Sequence, residues 1–376
     1  MRICENCFSD ENIKGMIQSE GNIGECDICG ARNCFIYDTE KADRLVPYFD
    51  EIFSAYSPSS ELNADFPENK KAPLAEKMKK DWNLFSPNRT ISDIAKIIKA
   101  LNPDAYDNHR ALFVEKVGVA AFQNKTFLTE HSILRGSTWE AFVHRIKFVN
   151  RFHVCDFNEE RLEYYCRLLS EIYKKDTLFY RARIKKDNKM VPYDKDHMGA
   201  PPSPMATNGR INPRGISCLY LCEDPDTPLY EVRAQHHDYV SVAEFRLINN
   251  IVVANLRKID KINPVILDLN ESIASDYLIN KSLLEKISQA MTRPQRSSDS
   301  ELEYLPTQYI ADFIKSLVND DSKEERFRGI AFASAANPGH NNFASFYPED
   351  FEINDDVRFY EISQLTYKYD ELHQHF

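Results

Sequence analysis

No apolar run in the 376 residues approaches the roughly 20 needed to cross a bilayer. No secretory hydrophobic region follows the polar, cysteine-rich start MRICENC, so the chain is expected to be cytoplasmic. Positive charge is also short. With 47 Lys and Arg against 58 Asp and Glu, the formal net charge is −11. A phosphate backbone would be repelled by that charge, which argues against non-specific nucleic-acid binding by the whole chain. No strand-like stretch is followed by G-x-G-x-x-G, so a dinucleotide held as a recycled cofactor on a Rossmann turn is excluded. Internal repeats and long low-complexity tracts are lacking too.

Nine cysteines are present, and five of them fall in the first 34 residues. CENC supplies Cys4 and Cys7, and CDIC supplies Cys26 and Cys29. Two such knuckles place four thiolates around one tetrahedral ion, and Gly30 allows the tight turn that a knuckle needs. The expected ligand is a structural Zn2+, since four protein ligands leave no open position for chemistry. A redox dithiol needs only one such pair. Cys34 is a spare thiol. The other four cysteines lie in apolar runs and are expected in the core.

The length favours two or three domains. Residues 1–37 form the zinc-binding module, 38–165 a helical domain, and 166–376 a mixed domain. Helices are expected over 45–56, 91–101, 139–152 and 159–175, where apolar residues recur at spacings of three and four. Thr90 or Ser92 is available as a cap. The polar, Pro-rich stretch 57–73 reads as a loop. After Asp176, strands are expected over 177–184, 218–222, 239–248, 251–256, 328–334 and 357–368. Asn249 and Asn250 read as a two-residue hairpin turn. Helical signals at 225–237, 281–291 and 302–318 do not alternate regularly with the strands, so the expected class is α+β rather than a doubly wound sheet.

Four polar features interrupt the apolar strand patterns. Arg181 and Arg183 share one face of LFYRARI, by the period-two rule. Taken alone they could simply face solvent. Arg210 sits in the turn GRINPRG, and its rigid fork suits bidentate phosphate contacts. Tyr220 in SCLYLCE reads singly as a core tyrosine. Glu231 follows DPDTPLY, where a glutamate in a first helical turn is most often a dipole partner exposed to water. Ser334 and SAANPGHNN close a strand.

In order, YRAR, GRIN at 209–212, LYL at 219–221, Glu231, YLPTQYIADFI at 304–314, Ser334 and NFASF at 342–346 resemble the RES domain, over about residues 176–366. The resemblance implies an ADP-ribosyltransferase-like fold and membership of the NAD-consuming toxins of bacterial toxin–antitoxin pairs. Such proteins degrade NAD+ by hydrolysis or phosphorolysis, and a few modify a protein target. It further implies that Arg181, Arg210, Tyr220, Glu231 and Ser334 line an NAD+ pocket, with Arg183 as a companion. An antitoxin or regulatory protein is the expected partner, and a homo-oligomer is left open. Two departures stand out. Segment 257–300 is longer than a minimal RES domain requires, and Ala336 stands where many members carry an arginine.

These residue types suit cleavage of the nicotinamide–ribose bond. Positive charge develops on the ribose as the bond loosens, and nicotinamide departs neutral. A carboxylate near the anomeric carbon or on a ribose hydroxyl stabilises that state, and Glu231 is the candidate. Arg181 and Arg210 would grip the pyrophosphate and turn binding energy into orientation. Tyr220 would stack on nicotinamide or bond a ribose hydroxyl, and Ser334 would hold the amide or ribose end. Transfer of ADP-ribose to a protein needs the same pocket, so that alternative stays open. A zinc-containing nucleic-acid-binding or RNA-cleaving factor is the alternative of another class. The Arg-x(4–6)-His spacing of HEPN-type nucleases is missing, and the acidic charge also opposes it.

Overall fold

The computed structural model describes residues 1–186, 190–262, 273–293, 300–317 and 326–366. They form two compact units, each assembled from separate stretches of chain. The first comprises residues 1–142, 153–168 and 258–286, and the second 143–152, 169–257 and 287–376.

In the first unit, Arg2–Cys4 pairs antiparallel with Cys34–Asp38, which also pairs with Ile23–Gly24. This small sheet carries the cysteine knuckles. The rest is largely helical. Val46–Ser54 and Ile91–Leu101 bury the apolar stripes expected of them, through Phe49, Ile52 and Phe53 on one helix and Ile94, Ile97, Ile98 and Leu101 on the other. Thr90 is the residue that caps the second helix: its hydroxyl accepts from Asp93 N–H while Asp93 reaches back to the Thr90 amide. The Pro-rich stretch 57–73 contributes two-residue strands at its ends, Ser57–Pro58 and Ala72–Pro73, both pairing with Lys116–Gly118.

The second unit is built on nine strands: β1 (Ser170–Tyr173), β2 (Leu178–Ile184), β3 (Leu219–Cys222), β4 (Tyr239–Leu247), β5 (Ile251–Asn255), β6 (Phe327–Ala333), β7 (Asn341–Ser345), β8 (Phe351–Ile353) and β9 (Arg358–Glu361). Their order is β8-β4-β2-β3-β7-β6-β5-β1, with β9 also on β4. Only β5 and β6 run parallel; the other pairs are antiparallel, which makes the class α+β. The helices that position the site are α1 (Thr227–Glu231), α3 (Leu305–Ser316) and the end of α2 (Ile273–Thr292), of which residues 287–292 belong to this unit.

Three expectations need correction. Asn249 and Asn250 do not turn a hairpin. β4 pairs with β2, while β5 pairs with β1 and β6. Connections 174–177 and 248–250 therefore run side by side, joined by Asp176 N–H to Leu247 O (2.8 Å), Leu247 N–H to Thr177 O (3.0 Å) and Lys175 N–H to Asn250 Oδ1 (2.8 Å). The two asparagines bend one long strand. Because β4 and β5 are three residues apart in sequence yet near opposite ends of the strand order, the sheet must curl back on itself. Second, the helix expected to 175 stops at Leu168, and 170–173 becomes β1, because Ile172 and its neighbours complete the edge of β5. Third, Cys155 is exposed, whereas Cys166, Cys218 and Cys222 are buried as expected.

One face of the sheet buries Phe179, Leu219, Leu221, Ala243, Phe245, Val253, Phe343 and Phe351 around Met198. On β2 and β4, Ala182, Val240 and Val242 form a second cluster, against which Leu229 and Val232 pack. This second cluster fixes α1 and hence the residue at its end. No helix among the described residues is long and apolar enough to cross a membrane.

Candidate active site

β2 and β3 meet at a single register pair, Tyr180 opposite Cys222. Tyr180, Arg181 and Ala182 from β2, and Tyr220, Leu221 and Cys222 from β3, line a cavity of about 700 Å³. Gly209 and Arg210 of the GRIN turn, Glu231 at the end of α1, and Asn342 on β7 line it as well.

α1 is shorter than the helical signal at 225–237. Asp224 caps it, its carboxylate accepting from Thr227 N–H (2.9 Å) and Asp226 N–H (3.1 Å). It ends at Glu231, because Arg233 adopts a left-handed φ of 55° that no helix can continue. Glu231 thus closes the helix instead of opening it. Its Oε1 accepts from Ser334 Oγ at 2.6 Å and from Asn342 Nδ2 at 2.7 Å. No donor from the described residues reaches Oε2, on a side chain that is exposed and borders the cavity. One oxygen is clamped and the other is available to a ligand.

The clamp is itself held. Ser334 is 4% exposed, and its hydroxyl accepts from Asn337 N–H (3.0 Å). Asn337 Nδ2 donates to Thr227 Oγ1 (2.8 Å) at the start of α1. Asn342 Oδ1 accepts from the Cys222 thiol (3.3 Å), which fixes the amide so that its nitrogen faces Glu231. Burial pushes that thiol well above its ordinary range, so it stays a neutral donor.

The GRIN turn is braced from two sides. Tyr220 Oη donates to Asn212 Oδ1 (2.7 Å) and accepts from Ile211 N–H (3.1 Å). Gln308 on α3 donates to Gly209 O (2.8 Å) and Asn212 O (3.0 Å), and Thr307 Oγ1 donates to Arg210 O (2.7 Å). A Cβ at Gly209 would lie 2.5 Å from both Asn212 Oδ1 and Tyr220 Oη, so only glycine fits. Burial raises the Tyr220 pKa further above the phenol range, and its hydroxyl is committed to the turn.

The arginines are placed differently from one another. Arg181 Nη1 donates to the carbonyls of Met198 (3.2 Å) and Gly199 (2.5 Å). Its pKa is pulled down to about 10, first by burial and then by neighbouring Arg183. Arg210 donates to the carbonyls of Met291 and Arg293 at the end of α2, and burial lowers its pKa too. Neither has a carboxylate within ion-pair distance among the described residues, so both are desolvated cations beside the cavity. Arg183 donates to His197 O and lies over the Tyr193 ring, 5.5 Å from its centre. Neither Arg183 nor Ser334 lines the cavity, although Arg181, Arg210, Tyr220 and Glu231 do.

Arg233 also lines the cavity and belongs to none of the motifs, whereas Tyr180, Tyr304 and Asn342 line it from within YRAR, YLPTQYIADFI and NFASF, and Gln308 braces it from the second of these. For Asn342 and Gln308 the sequence signal was the motif itself, since a buried amide is indistinguishable from a surface one along the chain.

In the first unit, Cys4, Cys7, Cys26 and Cys29 come together, with all four sulfurs within 4.8 Å of one another. Cys4 and Cys7 Sγ are 3.8 Å apart, Cys4 and Cys29 3.4 Å, and Cys7 and Cys26 3.7 Å. Bonds of about 2.3 Å to one tetrahedral zinc imply sulfur–sulfur edges near ~3.8 Å, so the donor set fits. Gly30 has φ 70° and its amide bonds Cys26 O (3.0 Å), which closes the second knuckle.

A protein-family comparison matches residues 178–370 to the RES domain. Neither the curated proteins nor the solved structures contain a match to the chain.

Proposed function

This chain belongs to the RES domain family, whose domain is associated with NAD-related toxin–antitoxin systems, and from that premise we propose that it degrades NAD+. The reaction is cleavage of the nicotinamide–ribose bond by hydrolysis or phosphorolysis, in a bacterial toxin or defence effector. The observation that carries this reading is Glu231. It presents one unengaged carboxylate oxygen to a cavity of about 700 Å³ bordered by the half-buried cations Arg181 and Arg210. A dianionic pyrophosphate offsets the desolvation of the two guanidiniums, and a carboxylate at the ribose suits the cationic end of the same substrate.

In the proposed mechanism the ribose C1′–nitrogen bond breaks with its electron pair going to nicotinamide, which leaves neutral. Glu231 Oε2 stabilises the oxocarbenium-like ribose electrostatically or through a ribose hydroxyl. Water or phosphate then bonds to C1′ through oxygen, the water proton passing to solvent. Ser334 and Asn342 keep the carboxylate aimed, and Arg181 and Arg210 bind the pyrophosphate through N–H groups not used on carbonyls. Tyr220 holds the GRIN turn and lines the cavity. An ADP-ribosyltransferase-like fold, and control by an antitoxin or regulatory protein, belong to the same proposal. The division at residues 37 and 165 into cysteine module, helical segment and catalytic part does too.

Cys4, Cys7, Cys26 and Cys29 would hold a structural Zn2+ that fixes the small N-terminal sheet. Incubation of purified protein with NAD+, with and without phosphate, tests the central reading. Free nicotinamide with ADP-ribose or its 1-phosphate is the expected product set. Nicotinamide release matched by labelling of protein would instead favour mono-ADP-ribosyl transfer, and unchanged NAD+ would remove the reading.

A further inference from the structure

The Glu231 carboxylate and its two donors come from two separate stretches of chain. Glu231 closes the stretch that leaves β3 through Glu223 and Asp224 and continues as α1. Ser334 and Asn342 flank the turn between β6 and β7, whose base is the register pair Ala333–Asn341. Cross-links join the two stretches beyond the clamp itself. Asn337 bonds Thr227, and His340 Nδ1 lies 3.1 Å from Asp224 Oδ2. Glu223 and Asn341 meet twice: Glu223 N–H donates to Asn341 O (3.1 Å), and Asn341 Nδ2 donates to Glu223 Oε2 (2.8 Å).

This double contact lies one residue along from the register pair Cys222–Asn342, both members of which line the cavity. Successive side chains on a strand point to opposite faces, and neither Glu223 nor Asn341 lines the cavity. A slip of β7 by one residue would carry Asn342 to the wrong face and withdraw it from Glu231. The Glu223–Asn341 contact opposes that slip.

Glu223 is itself anchored. Its Oε1 accepts from Tyr173 Oη at 2.6 Å, and its Oε2 from Arg257 Nη1 at 2.9 Å. Arg257 Nη2 also donates to Tyr173 Oη (3.0 Å), and its Nε to Asn255 Oδ1 (2.8 Å). The Tyr173 ring packs on Phe179 and Phe343 in the sheet core, with centres 5.6 and 5.4 Å away. β1 and the residues at the end of β5 thus fix the Glu223 carboxylate. Both of its oxygens are engaged by protein donors, in contrast to those of Glu231. The Arg257–Glu223 pair is half-buried, so solvent screens it less than an exposed pair.

We propose that Glu223, anchored by Arg257 and Tyr173, is a positioning residue for catalysis. Through Asn341 it sets the turn that carries Ser334 and Asn342 against α1, and so aims the Glu231 carboxylate. This rests on the assignment of Glu231 to NAD+ cleavage and deepens it. Displacing a reacting group by about 1 Å can slow a reaction by about 100-fold, so the network acts without touching substrate.

The test measures nicotinamide release by full-length Glu223→Gln and Asn341→Ala, with calorimetric ADP-ribose titration counting the folded sites. Glu223→Gln leaves Arg257 without its counter-charge, and Asn341→Ala is the milder variant should that protein fold poorly. Each is expected to lower kcat per folded site by about tenfold while KM for NAD+ stays within about twofold. In a Glu231→Gln background, Asn341→Ala should add less than about a twofold loss, because the residue it serves is already gone. Three results overturn the inference alone: kcat per folded site unchanged in Asn341→Ala, a rise in KM without a fall in kcat, or the full tenfold loss repeated in the Glu231→Gln background. Absence of nicotinamide release by the wild-type protein overturns the NAD+ reading and the inference with it.

Discussion

Ser334 Oγ donates to Glu231 Oε1 at 2.6 Å, joining residues 103 positions apart in the sequence. Asn342 Nδ2 meets the same oxygen at 2.7 Å. The two donors sit at one end of the carboxylate and leave the other end to the cavity. Ser334 is therefore a positioning residue, and its distance from the cavity lining is a consequence of that role.

Replacing Glu231 by Gln keeps the shape and both protein contacts possible but removes the charge. Turnover of NAD+ is expected to fall by at least ~100-fold, about 2.7 kcal/mol of transition-state stabilisation, with Tm within a degree or two of wild type. Nicotinamide release by the two purified proteins decides it. Equal rates would remove Glu231 from the chemistry.

Asn342→Asp is nearly isosteric and places a second carboxylate against the first. Two carboxylates sharing a site cannot both ionise freely, so one apparent pKa rises. The acid limb of the pH–rate profile should move upward by about one unit or more. Asn342→Ala, which removes a donor without adding a charge, should lower kcat and move that limb upward by less than Asn342→Asp does. A profile for Asn342→Asp that overlays wild type would mean the two groups do not interact in the working enzyme.

The GRIN turn makes a prediction about stability. Gly209→Ala forces a methyl to within 2.5 Å of Asn212 Oδ1 and Tyr220 Oη, and is expected to cost about 1–3 kcal/mol. Tyr220→Phe leaves Asn212 Oδ1 and the Ile211 amide without their hydroxyl partner, at a cost of ~1–3 kcal/mol. Denaturant titrations of both variants measure this. If Tyr220→Phe were as stable as wild type and lost only activity, the hydroxyl would act on substrate instead of on the turn.

For the four-cysteine centre, elemental analysis should find one zinc per chain, and Cys26→Ser should lose it. Chelation should also change thiol labelling. Exposed Cys155 should react in the metal-loaded protein, and Cys4, Cys7, Cys26 and Cys29 only after the metal is removed. Prompt labelling of all four before chelation would exclude a metal site.

Much of the fold was legible along the chain because it rests on local pattern. The strands Leu178–Ile184, Leu219–Cys222, Tyr239–Leu247 and Ile251–Asn255 fall within a residue or two of their period-two signals. The helix Ile91–Leu101 lies where its apolar spacing and Thr90 place it. Cys4, Cys7, Cys26 and Cys29 are paired by spacing, and Arg181, Arg210, Tyr220 and Glu231 were legible as a motif series that the structure brings to one cavity.

What remained hidden depends on partners distant in sequence. Asn249 and Asn250 have the chemistry of a hairpin turn, yet the pairing of β4 with β2 and of β5 with β1 leaves them to bend a strand. Residues 170–173 continue a helical pattern, and only the free edge of β5 makes them a strand. The division of labour in the site is also tertiary. Which oxygen of Glu231 is clamped, which arginines are spent on carbonyls, and that Tyr220 supports the turn all follow from atoms meeting across the sheet. Residue types and their order were fixed locally by the sequence; the direction in which each polar group points was decided by packing, because a hydrogen bond needs its partner in place.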